Sequence, residues 1–175
     1  MAVPVTIEDA RQQLRLEDDW SQDVELQGFI ADAAAWVERY TGHILEARDV
    51  TEQIRWSDRL FIQAWPIKPE AVPVVAYSGA AGSIGLPGVR LDLSQRPARL
   101  LPAIGTAWPR DVAGTPVTVT VRAGYEAGAS PPGNFRRAML LLIGAYDADR
   151  EGGEILAKAE ATARLLCRDF RVRRL

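Results

Sequence analysis

The stretch that decides the fold is residues 131–153, PPGNFRRAMLLLIGAYDADREGG. Two prolines open it, and proline suits a helix's first turn, where its missing N–H leaves no bond unmade. Phe135, Met139, Leu142, Ile143 and Tyr146 then recur at three- and four-residue steps and mark one helical face. Ala138, Leu140, Leu141 and Ala145 fill the other sides, so this helix is apolar nearly all round. Such a helix is buried on every side, either in a central core or at a subunit contact. Gly152-Gly153 breaks it. Its apolar run, residues 138–146, falls far short of the ~20 residues of a membrane span, so no membrane partner is expected.

Outward from this helix, both flanks also read as helical. Residues 154–169 place Ile155, Ala159, Thr162 and Leu166 in one row, with Leu156, Ala163 and Phe170 beside it. Near the start, Thr6 followed by Asp9 predicts an N-cap and a short helix to about Leu16. Leu26, Phe29, Ile30, Ala33, Val37 and Tyr40 keep a helical period from about Ser21 to Thr41, and Gly42 supplies the stop.

Between these flanks the period changes. Residues 50–56 and 60–64 alternate and predict two strands of a hairpin joined by Ser57-Asp58-Arg59, with Trp65-Pro66 ending it. Further strands are expected at 71–77, 89–93, 98–101 and, most clearly, 117–122 (VTVTVR). The expected fold is α+β. N- and C-terminal helices pack as a small bundle around an inserted antiparallel β subdomain. The expected boundaries are 1–45 for the first helices, 46–130 for the insert, and 131–175 for the last helices with a basic tail.

Composition narrows the chemistry. The 175 residues carry 21 Lys+Arg, 23 Asp+Glu, one His and one Cys. One cysteine forbids an internal disulfide and suggests a reducing compartment. A lone His43 and a lone Cys167 cannot make an ordinary His/Cys zinc site, so no metal or other cofactor is expected. The beginning of the sequence lacks the basic start and apolar stretch of a signal peptide. Net charge is −2, yet residues 1–53 hold twelve acidic and four basic side chains. Arg164, Arg168, Arg171, Arg173 and Arg174 make the last segment the most basic. That polarity fits a head-to-tail assembler, or equally a solvated helix end whose cations complement the dipole. The mild overall acidity disfavours nucleic-acid binding.

The motifs that invite catalysis fail on inspection. Glycines at 79, 82, 85 and 88 are followed by Pro87 and a strand, with no Lys-Ser/Thr pair opening a helix, so they predict a flexible hairpin loop and no phosphate site. Asp147, Asp149, Glu151 and Gly152 copy the start of a calcium loop, but its twelfth position is Lys158, a cation. His43 has no nucleophile in a recognised signature nearby. Cys167 is expected to pack as a small apolar residue, and the five tryptophans to anchor cores or interfaces. Nothing here argues for an enzyme. Two competing readings are a small-molecule or carbohydrate-binding β module with helical flanks, and a metal-assisted hydrolase on the 147–151 cluster.

Four segments, in order, resemble the head–tail connector (adaptor) proteins of long-tailed double-stranded-DNA phages and gene transfer agents. They are residues 6–16 (TIEDARQQLRL), 30–45 (IADAAAWVERYTGHIL), 117–125 (VTVTVRAGY) and 131–151 (PPGNFRRAMLLLIGAYDADRE). Asp147 stands where the family commonly has Tyr. The resemblance implies a non-enzymatic virion part, located in the particle neck and assembled in the bacterial host cytoplasm. It implies a homo-oligomeric ring, commonly dodecameric, between the portal protein and a stopper or other tail-side neck protein. Genome DNA would pass through the channel without sequence-specific binding. It also implies that Arg168, Arg171, Arg173 and Arg174 contact the portal. Phe135, Met139, Leu142, Ile143 and Tyr146 would then form a core or subunit-interface helix.

Overall fold

The computed structural model describes residues 4–16, 22–57, 59–79, 82–109 and 114–172. The chain forms two units, one of Met1–Glu46 with Tyr125–Leu175, the other of Ala47–Gly124. The return to the first unit thus comes at Tyr125, whose backbone N–H donates to the Ile44 carbonyl at 3.3 Å.

The first unit is helical: α1 (Ile7–Leu14), α2 (Asp23–Thr41), α3 (Gly133–Ala148) and α4 (Glu154–Cys167), followed by a 3-10 turn at Arg168–Phe170. Local chemistry sets the ends. The Thr6 hydroxyl accepts from the Asp9 N–H and the Asp9 carboxylate accepts from the Thr6 N–H, a reciprocal capping box. α2 ends at Gly42, whose φ of +70° is the left-handed cap that glycine adopts without steric cost. α3 is the central element. Phe135, Ala138, Met139, Leu142 and Ile143 are fully buried, and Leu140, Leu141 and Tyr146 are half-buried. Val37 and Ala33 of α2, and Ala163 and Cys167 of α4, close the same core. On α4 the packed row is Leu156, Ala163 and Cys167. Of the other row, Ile155 and Thr162 are exposed, while Leu166 is half-buried against the core. The reason is that two rows of comparable hydropathy lie on this helix, and contact with α3 and α2 selects between them.

The second unit holds seven strands among the described residues: β1 (Arg48–Arg55), β2 (Leu60–Ile62), β3 (Val74–Gly79), β4 (Gly82–Gly85), β5 (Arg90–Asp92), β6 (Ala98–Leu101) and β7 (Pro116–Ala123). They form a four-stranded sheet in the order β1-β7-β3-β4 and a three-stranded sheet in the order β2-β6-β5, all antiparallel. β7 lies inside the larger sheet. Val117, Val119 and Val121 are buried and alternate with outward Thr118, Thr120 and Arg122. Two expectations are corrected here. β1 and β2 are not a hairpin: β1 pairs with β7 and β2 with β6. The Glu52 carboxylate accepts from the Gln63 and Ala64 N–H groups at 2.7–3.0 Å, holding the chain as it crosses between sheets. The glycine run is not a loop throughout, because Gly82–Gly85 is the edge strand β4.

Candidate assembly surfaces

The residues flagged from the sequence fall into three places. Phe135, Met139, Leu142 and Ile143 point into the helical core, while Tyr146 is half-buried with its ring 6.0 Å from that of Phe29. Burial, with Asp32 and Glu160 nearby, pushes the Tyr146 phenol above its ordinary pKa. Arg168 and Arg171 lie on the helical unit after α4. The Arg168 guanidinium is 3.4 Å from the Asp169 carboxylate and largely exposed, and the Arg171 guanidinium sits 5.3 Å above the Tyr40 ring. These geometries leave positive charge at the surface, since an exposed pair with a neighbouring carboxylate is weakly held. Arg173 and Arg174 lie outside the described residues.

The residues that invited chemistry have structural duties. His43 is buried, its Nδ1 2.9 Å from the Tyr125 hydroxyl, its ring stacked on Tyr125 and edge-on to Phe135 and Phe170. The helix-terminal histidine therefore anchors an aromatic cluster between the end of α2 and the start of α3. Cys167 is buried, and desolvation lifts its thiol to about 11, so it is neutral at physiological pH. The Asp149 carboxylate, second acid of the 147–151 cluster, accepts from the Ile155 and Leu156 N–H groups at 3.1 and 3.2 Å. Backbone bonds from Gly153 and Leu156 hold its pKa below the usual carboxylate value. It thus serves the free N–H groups at the start of α4. Arg150 reaches Glu25 of α2 at 3.0 Å and Asp147 at 3.6 Å, tying the end of α3 to the start of α2. Among the described residues no group of three or more His, Cys, Asp or Glu side chains could hold a metal ion.

Three aromatic residues of the β unit are turned on each other. Trp56 is buried, with Tyr77 and Trp108 edge-on to it at 5.7 and 5.5 Å. Trp36 of α2 is also buried and stacks on Tyr40, and Trp65 is half-buried beside Arg96. Trp20 lies outside the described residues. What the sequence reading missed is on the outside. Val24 (82% exposed), Ile155 (52%) and Leu165 (66%) project from the helical unit, and Val72, Val74 and Ile104 from the β unit. Scattered exposed apolar residues are common. An exposed valine reads like a buried one in sequence, so no signal could have separated them.

Comparison with known proteins supplies context for this arrangement. The family of phage gp6-like head-tail connector proteins matches residues 4–64. Several solved structures share the fold over the whole chain. A chain in the neck of an empty gene transfer agent particle, computed with C6 symmetry, matches at a TM-score of 0.73 and 23% identity, over 100% of this chain and 94% of that one. A chain in the virion of a native gene transfer agent particle matches at 0.70 and 22%, over 99% and 92%. One in the neck of the native particle, computed with C12 symmetry, matches at 0.69 and 24%, over 99% and 91%. No curated protein sequence matches the chain. The α+β fold is that of a protein found in the gene transfer agent neck, and the resemblance to the head–tail connector family holds over the first third of the sequence.

Proposed function

We propose that this chain is a structural neck protein of a tailed phage or gene transfer agent particle, acting as a connector and not as an enzyme. In this reading copies form a ring between the portal and the tail-side neck proteins, and the genome passes through the ring. The observation that carries it is the whole-chain likeness, 94% of the neck chain against 100% of this one, over helical and β units together. The buried His43 and Cys167, and Asp149 spent on α4, agree with a scaffold whose reactive residues hold its own structure together.

Ring assembly needs two different patches per subunit. The acid-rich first 53 residues and the arginines at the other end of the sequence supply groups of opposite charge for such patches. Arg168, Arg171, Arg173 and Arg174 are the proposed portal contact. Replacing Arg168, Arg171, Arg173 and Arg174 together with Glu, which spares Phe170 and its packing on Phe135 and His43, is expected to abolish binding to the portal ring of the same particle while far-ultraviolet circular dichroism stays native; undiminished binding rejects that contact. Deleting the gene tests the wider reading. Cells should then make DNA-filled heads without tails, whereas an unchanged yield of tailed particles would reject a neck role.

A further inference from the structure

We infer that neighbouring copies join through the larger β sheet, β4 of one copy lying antiparallel beside β1 of the next. The inference rests on the ring reading above and specifies its subunit contact.

Hydrogen-bonded and non-hydrogen-bonded pairs alternate along an antiparallel ladder. The Leu86 N–H donates to the Val75 carbonyl at 2.8 Å, so with Tyr77 opposite Ile84, Ile84 also bonds β3. Ser83 and Gly85, opposite Ser78 and Ala76, turn their N–H and carbonyl groups away from β3. At the other edge the Trp56 N–H donates to the Thr115 carbonyl at 2.8 Å, so Ile54 and Glu52 bond β7 while Thr51 and Gln53 face outward. Among the described residues, none of these four has a backbone partner.

The two edges match. With four antiparallel strands, an even number, β1 and β4 run in opposite directions. A second copy continued in the same orientation therefore sets its β1 antiparallel to β4. Facing agrees as well. The Ser83 side chain and the α-position of Gly85 lie on the face of Ser78 and Ala76, and the side chains of Thr51 and Gln53 lie on the face of Thr120 and Thr118, which is the same face of the sheet. Hydrogen-bonded partners across an antiparallel joint share a face, so the joint continues both faces without a register fault. A two-fold β4-to-β4 pairing would leave β1 open, and rings need two different patches.

β4 also lacks the devices that protect a free edge from pairing. Gly82, Ser83, Ile84 and Gly85 include no charge and no proline, and all four are exposed. A Cβ added at Gly82 or Gly85 would meet nothing within 4 Å, so backbone can approach there unhindered.

Two measurements on the full chain test this. Native mass spectrometry over a concentration series reads the assembly, and residue-resolved amide exchange compares ring with diluted monomer. The expected result is a closed ring in which the Ser83, Gly85, Thr51 and Gln53 amides exchange at least ~10-fold more slowly than in the monomer, with Ile84 protected in both. Ser83→Pro and Gln53→Pro each remove one outward N–H, a change an edge strand tolerates. Both should lose the ring and keep the monomer's circular dichroism. A wild-type ring whose four amides exchange as in the monomer, or proline variants that still close, overturns the joint and leaves the ring reading standing. Assembly that stops at a dimer overturns the head-to-tail joint. A wild-type chain that forms no ring at any concentration, with the portal ring of the same particle added or not, overturns the ring reading itself.

Discussion

The helical unit and the β unit carry their instructions at different range. In the helical unit the ends of elements are fixed by residues three to seven positions apart: Thr6 with Asp9, Gly42 with Glu38, Asp149 with Gly152 and the start of α4. In the β unit β1 finds its partner far along the chain, Glu52 opposite Val119, with β2 through β6 intervening. The first kind of order is written locally. The second depends on which buried faces meet, and so belongs to the whole sheet.

The strongest test of that contrast is core deletion on each side. Phe135→Ala removes a fully buried ring that packs at 4.9 Å on Phe170 and 5.0 Å on His43, and is expected to cost about 3–5 kcal/mol. Leu100→Ala on β6 is expected to cost about 2–5 kcal/mol, both read from denaturant midpoints. A loss under 1 kcal/mol at Phe135 would mean that α3 is not the pillar of its unit.

Local order can be removed more gently. Asp9→Asn weakens the capping box and the 2.7 Å pair with Arg136, for about 1 kcal/mol at neutral pH. The Thr6 backbone bond is the largest cause that holds the Asp9 pKa below 3.8, with Arg136 adding to it. A depressed carboxylate stabilises the fold above its unfolded pKa and loses that effect as pH falls through its folded pKa. The difference between Asp9→Asn and wild type should therefore be full at pH 7 and shrink below about pH 4. A pH-independent difference would show that the charge is not involved.

Smaller still is the cross-strand pair of Thr51 and Thr120, whose hydroxyls lie 2.8 Å apart on the exposed face of the sheet. Thr120→Ala should cost roughly 0.2–1 kcal/mol. Cys167 gives a chemical readout of the same core. At pH 8 its thiol is neutral and enclosed, so iodoacetamide should label it slowly in the native chain and quickly in denaturant. Equal rates would place it at the surface.

The same contrast explains what the sequence disclosed. Helix spans near 7–14, 23–41 and 133–148 follow from caps and period, and the alternation of 117–122 marks the central strand. The pairing of residues 50–56 with 60–64 was misread because nearness in sequence suggested a hairpin. Their true partners, β7 and β6, are chosen by burial of Val119 and Leu100. Gly82–Gly85 was hidden because glycine has little strand propensity, and only the β3 ladder makes it a strand. Of the candidate surfaces, the arginines were visible as charge, whereas the free edges of β1 and β4 depend on strand order and could not be.

A focused cryo-electron reconstruction of the neck, from particles that carry this chain, tests the connector role most directly. The account predicts one ring of copies directly beneath the portal, with residues 168–175 against portal density and DNA running through the centre. A neck that contains no copy of this chain would contradict it.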